Sequence, residues 1–353
     1  MTYTEQEENL IVLAGIEEIT DRIRRNLIFG FESEKEKQNY ALKTLPQGIY
    51  NIVENKFRDG IFRTQLLENL GKNGIECVTY MSSLYPEALK HIDEPPIVLY
   101  CKGNTSLLKS NCFSVVGSRR TPPSALALCK KISGEIAEAF TVVTGMAEGA
   151  DSAAVEGALP SGKVISVLAN GFDYFYPACN KSLIENVAEK GLLISEYPPH
   201  IRPSKYNFPY RNRIIAGLSR GTLIVSAGTK SGALITADFA LEYGREVFAF
   251  PYSAGVASGA GCNALIKNGA YLTENILDIF KAFGLDLNKS EKAVTLTDAE
   301  RAILEQIKIT GEAFLPEIAQ KLNKFTYQIL PDVTSLEIKG LITRLGGNRY
   351  GIV

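Results

Sequence analysis

The chain has no tryptophan, two histidines and three methionines in 353 residues, and no Cys-x-x-Cys pair. So few histidines leave scant material for imidazole catalysis or a His-based metal site, and His91 and His200 read as surface or loop residues. The cysteines (77, 101, 112, 129, 179 and 262) are scattered without metal-ligand spacing. They read as small buried hydrophobes in a reducing compartment. An excess of one charge is also missing: 38 Lys+Arg stand against 39 Asp+Glu, a formal net of −1. That excludes a uniformly basic nucleic-acid coat, so any anion binding must come from local segregation of charge. No apolar run approaches the ~20 residues of a membrane span. The start, MTYTEQEENLIVLAG, lacks the basic flank and long apolar core of a signal peptide. The expectation is a soluble, cytoplasmic protein with no membrane contact and no cofactor.

What is present is an ordinary globular composition, 45% apolar and 22% charged. The length suits about two or three domains. Residues 1–75 carry helical periodicity (Leu10, Leu13, Ile16, then Ile23, Leu27, Phe31) broken by glycines, and read as an acidic N-terminal helical domain. Residues 76–284 contain short runs that are apolar on both faces: FSVVGS, TVVTG, VISVLA, LLISEY, TLIVSA and VFAFP. They alternate with helical stretches at 124–139, 151–159, 181–190, 231–243 and 263–268. Strands apolar on both faces belong to a parallel sheet covered by helices, and the alternation predicts a doubly wound α/β fold. A polar linker, 285–294, precedes a tail (295–353) with three helical stretches and a hairpin turning at Gly346-Gly347-Asn348, the pattern of a winged helix.

In an open parallel sheet, ligands sit at the carboxyl ends of the strands, against helix N-termini. Here those ends carry Gly117-Ser118-Arg119, Asn170-Gly171-Phe172 and Lys230-Ser231-Gly232. Charge segregates over the same ground. Residues 109–134 hold five basic side chains, and residues 201–237 hold six, among them Lys205, Arg211 and Arg213; neither window has an acid. Aromatics are interleaved at Tyr174–Tyr176 and at Tyr206, Phe208 and Tyr210. Cations for phosphates and rings for unpaired bases suit single-stranded nucleic acid. A nucleotide or phosphorylated small-molecule site, or a solvated basic face with packed rings, fits the same pattern. GSRRT lacks the later glycines of a dinucleotide loop, and Gly228-Thr229-Lys230-Ser231 lacks the spacing of a phosphate loop. Asp151, Asp173 and Glu196 are acids near strand ends, and no catalytic set emerges.

The strings VVGSRRT, TGMAEGADSAAVEGAL, VLANGFDYFYPACN, LLISEYPP, NFPYRNRIIAGLS and SGALITADFALEYGREVFAFP follow one another in an order that resembles the DprA/Smf family. The likeness is strong over about residues 80–275 and weaker in the tail. It implies an extended Rossmann-like, doubly wound, mostly parallel sheet flanked by an N-terminal helical domain (SAM- or helix-hairpin-like) and a C-terminal winged helix. It also implies a homodimer that binds single-stranded DNA. Such a protein loads a RecA-type recombinase onto DNA held by single-strand-binding protein during natural transformation, and is a mediator rather than an enzyme. By motif position, the resemblance sets Gly117, Ser118 and Arg119 against phosphate. Lys205, Arg211, Asn212 and Arg213 form a basic wall, and Phe172 lies in the stacking loop. The chain departs from the family pattern at Val155 (usually His), Ser226 (usually acidic) and Tyr252 (usually Gly). The alternative reading is a Rossmann-like nucleotide-binding protein or phosphoribohydrolase-type enzyme, which needs the acid that Ser226 replaces. The third helix of the tail carries Asp332, Glu337 and Lys339, a net of −1 that favours a protein contact over duplex binding.

Overall fold

The computed structural model describes residues 3–16, 18–19, 23–26, 45–285, 296–345 and 347–352. Most of the expected linker, Gly346 of the expected turn, and Leu27 and Phe31 of the N-terminal periodicity lie outside these. The chain forms two compact units, residues 1–283 and 284–353.

The first unit is built on a nine-stranded sheet in the order β1-β2-β6-β5-β4-β3-β7-β8-β9. The strands are β1 Glu76–Thr79, β2 Val98–Gly103, β3 Cys112–Val116, β4 Thr141–Thr144, β5 Val164–Leu168, β6 Leu192–Ser195, β7 Ser219–Ile224, β8 Glu246–Ala249 and β9 Tyr271–Leu272. From β6 through β9 every pairing is parallel, while β1 and β2 close one side antiparallel. β3, β4, β5 and β6 are buried at every position, as strands covered on both faces must be. The order reverses between β3 and β7. In a doubly wound sheet that is the switch point, where loops leave in opposite directions and open a crevice.

All six expected strands and all five expected helices of this region form. Three features were not foreseen. β1 and β2 lie outside the six expected runs, and β9 has only two residues. The string NFPYRNRIIAGL is itself a helix, Asn207–Leu218, whose arginines and isoleucines are buried. The helices of the first 75 residues share a core with the sheet. Leu10, Ile11 and Ala14 of the Glu5–Gly15 helix pack with Leu70, Ile75, Cys77, Val98 and Tyr100.

The second unit runs helix Asp298–Thr310, β10 Glu312–Phe314, helix Leu315–Lys321, helix Thr326–Ile338, and the hairpin β11 Ile342–Leu345 and β12 Arg349–Ile352. Its sheet order is β10-β12-β11, all antiparallel. Glu300 ties the first and last helices together. It accepts from Ser335 Oγ at 2.6 Å and from Lys339 Nζ at 2.6 and 2.7 Å, and its carboxylate also takes the Thr297 N–H.

Candidate nucleic-acid interface

The loops after β3 and β7 lie side by side at the switch point. The Ser118 N–H donates to the Ser226 carbonyl at 2.8 Å, and the Val225 N–H to that of Val116 at 2.9 Å. Gly117 is there because a Cβ would stand 2.6 Å from the Ala150 methyl. Gly149, at φ +79°, opens the Ala150–Ala158 helix, and a Cβ on it would stand 2.6 Å from the carbonyl oxygens of Ser118 and Arg119. These glycines let helix, loop and strand end close up, and they leave the Arg119 and Arg120 side chains exposed. A cleft of about 440 Å³ follows, bordered by Gly117–Arg120, Phe208, Arg211, Asn212, Ser231 and Gly232. Ser231 caps the Gly232–Glu242 helix by accepting the Ala233 N–H. Asn212 reaches the Gly232 carbonyl at 3.4 Å.

Cations stand over rings along this edge. The Arg119 guanidinium lies 5.6 Å from the Phe208 centroid, and Phe208 in turn lies 5.2 Å from Tyr176. Lys205 stands 5.0 Å over Tyr206, Lys181 5.1 Å over Phe175, and Arg202 5.7 Å over Tyr174. Tyr206 is 74% exposed, so its ring is presented to solvent. Lys205 and Lys230 are exposed as well.

Five of the expected contact residues are buried or packed against the interior: Arg211, which still borders the cleft, and Arg213, Asn170, Gly171 and Phe172. Arg211 and Arg213, read as a basic wall, are buried. Arg211 donates to the carbonyls of Gly145 and Val167. Beside it the buried Asp151 carboxylate accepts the Ala147 N–H at 3.2 Å. Burial lowers the Arg211 pKa to about 10 against the pull of Asp151, and burial likewise pushes the Asp151 carboxyl above its ordinary value. Arg213 chelates Glu196 at 2.6 and 2.7 Å and stacks 4.0 Å over the Tyr210 ring. Burial works against its charge, but Glu196 and Tyr210 outweigh it and raise the guanidinium further. A buried guanidinium needs such partners, and each of these two commits one Nη group to the interior: Nη1 of Arg211 and Nη2 of Arg213. Asn170 is buried, with its amide donating to the carbonyls of Gly171 and Tyr174 at 2.8 Å, so it shapes the aromatic loop. Gly171 is required by close approach of the Pro198 and Pro199 carbonyls, each 2.1 Å from where its Cβ would be. Phe172 packs, partly buried, on the core shared with the N-terminal helix.

The departures at Ser226 and Tyr252 are neighbours under the β7 loop. The Ser226 hydroxyl donates to the Ser258 carbonyl at 2.9 Å, and the Tyr252 hydroxyl to that of Val225 at 2.7 Å. Val155 is buried in its helix. Phe208 and Arg120 border the cleft and are absent from the expected contact residues; the ring of Phe208 is the more telling omission. Its spacing three before Arg211 in a helix, had the helix been foreseen, sets both on one side.

Comparison with known proteins agrees with this architecture. The model of the DNA recombination-mediator protein A family matches residues 76–284. DNA processing protein DprA of Streptococcus pneumoniae is 40% identical over 204 residues, covering 58% of this chain and 72% of that protein. Protein Smf of Synechocystis is 38% identical over 261 residues, covering 71% and 66%. The X-ray structure of the S. pneumoniae protein superposes with a TM-score of 0.68 at 31% identity, over 80% of this chain and 98% of that one. DNA processing protein A of Helicobacter pylori, solved for its single-stranded DNA binding mode, gives 0.54 at 31% identity over 59% and 95%. Sequence and fold thus converge: the chain belongs to the DNA recombination-mediator protein A family, known also as DprA/Smf.

Proposed function

We propose that the cleft at the β3–β7 switch point binds single-stranded DNA, and that the protein acts as a recombination mediator. The observation that carries the reading is the pairing of exposed cations with rings along one sheet edge, led by Arg119 over Phe208. Phosphates are neutralised by the cations while unpaired bases lie on the flat faces, an arrangement indifferent to sequence. Gly117, Ser118, Arg119, Arg120, Lys205, Lys230, Ser231 and Gly232 form the phosphate side. Tyr174, Phe175, Tyr176, Tyr206 and Phe208 form the stacking side in place of Phe172. Arg211 and Arg213 support the wall without touching DNA. Transfer of the bound strand to a RecA-type recombinase, displacement of single-strand-binding protein, homodimer formation and service in natural transformation complete the reading. The second unit, with its helix–strand–helix–helix–hairpin order, is taken as a winged helix. No catalytic step is assigned.

The test is fluorescence anisotropy of a labelled oligothymidine across a salt series. Log affinity should fall with log salt by about 0.7 for each phosphate contact. A flat salt dependence overturns the reading.

A further inference from the structure

The Asn207–Leu218 helix has two working faces. Phe208 and Arg211, three apart, lie on the side of the cleft. Tyr210 and Arg213, also three apart, are turned from Phe208 by about 200° and about 140° and look the other way. On that second face the helix meets the N-terminal segment. Arg25, in helical residues 23–26, donates from Nη1 to the Tyr210 hydroxyl at 2.9 Å and pairs through Nη2 with Glu94 at 3.0 Å. Tyr210 donates in turn to the other Glu94 oxygen at 3.0 Å, which closes a three-membered ring of bonds. Glu94 is held for this at φ +55°, the left-handed region that a non-glycine residue rarely enters. Beneath the ring, Arg213 stacks on Tyr210 and anchors to Glu196 just past the end of β6. One helix therefore bonds to the N-terminal segment on one side and carries Phe208 on the other, with Lys205 and Tyr206 just before its start.

We propose that Tyr210 is a positioning residue: through the Arg25–Glu94–Tyr210 ring, the N-terminal helical segment sets the placement of Phe208, Lys205 and Tyr206 and so tunes single-stranded DNA affinity. The proposal rests on the reading of the cleft as a DNA site. Tyr210→Phe removes only the hydroxyl and keeps the ring under Arg213, so the helix retains its buried anchor. Arg25→Ala removes the opposite partner.

The experiment is oligothymidine anisotropy on the full chain at several salt concentrations. Each variant is expected to weaken binding by roughly 3- to 30-fold. The salt slope stays unchanged, because neither residue meets phosphate. The double variant is no weaker than the worse single one, and Arg25→Lys recovers part of the loss through its remaining bond to Glu94. Arg63→Ala, which breaks the N-terminal Arg63–Glu8 pair away from this helix, leaves affinity intact. Unchanged affinity in Tyr210→Phe and Arg25→Ala, beside a clear loss in Arg119→Ala, overturns the proposal and leaves the DNA site standing. An equal loss in Arg63→Ala also overturns it, since general loosening then explains the effect. No loss in Arg119→Ala removes the DNA-site reading itself.

Discussion

Arg119 and Phe208 reach each other across the cleft from different elements, one from the loop after β3 and one from the first turn of the Asn207–Leu218 helix, at 5.6 Å. The pair gives two separable losses. Arg119→Ala should lower single-stranded DNA affinity and flatten the salt slope by about 0.7, one phosphate contact. Phe208→Ala should keep the slope and cost about 1–3 kcal/mol, one stacked base. Anisotropy over a salt series reads both quantities, and equal slopes for the two variants would contradict the division of labour.

Arg211 predicts a different phenotype. Its removal leaves the buried Asp151 carboxylate without its neighbouring cation, a change that costs roughly 3–5 kcal/mol in stability. Arg211→Met should therefore melt well below the parent protein. Adding Asp151→Asn should recover part of the loss, because the orphaned charge is gone. Differential scanning calorimetry checks this, and a parent-like melting temperature for Arg211→Met contradicts it.

Gly149 combines a left-handed backbone at φ +79° with the close carbonyls of Ser118 and Arg119. Gly149→Ala meets both obstacles, and should destabilise the first unit by about 1–3 kcal/mol. Gly244→Ala, with φ +66° but open space around it, should cost less. Urea midpoints of the two variants compare the steric and conformational parts.

Glu300 predicts the acid sensitivity of the second unit. Bonds from Lys339, Ser335 and the Thr297 N–H hold its carboxyl at about 2, below the ordinary 4.5. A carboxyl lowered by folding lends stability above its unfolded value and loses it as the pH falls toward the folded one. The helices at 298–310 and 326–338 should therefore loosen between pH 4.5 and about 2. Hydrogen exchange followed by mass spectrometry should show this loss of protection in the parent, and a weaker pH dependence across that window in Glu300→Gln.

The parallel strands were legible because burial on both faces forces continuous β-branched and aromatic runs, as in Val164–Leu168. The antiparallel strands β1 and β2 were not, since the turns and prolines between them mask the pattern. The position of the cleft was readable from glycines and small residues at strand ends. The fate of its arginines was not. Arg213 is matched by Glu196, 17 residues earlier, and Arg211 lies beside Asp151, so a window of sequence counts both as free charge. Phe172 shows the same limit: it packs on a cluster drawn from Leu10 to Tyr100, and spacing alone does not separate a ring that stacks on a base from one that packs in a core.

The hydroxyl of Tyr3 accepts the backbone N–H of Cys77 at 2.9 Å, and Leu10, Ile11 and Ala14 cover Val98 and Tyr100. Trimming the chain to residues 76–284, where the family match begins and ends, would thus strip an oily flank from the outer antiparallel strands. The working unit for expression, swapping between relatives or crystallisation is the whole stretch from the start to Phe283. What looks like an appended module is in fact one wall of the sheet's own interior.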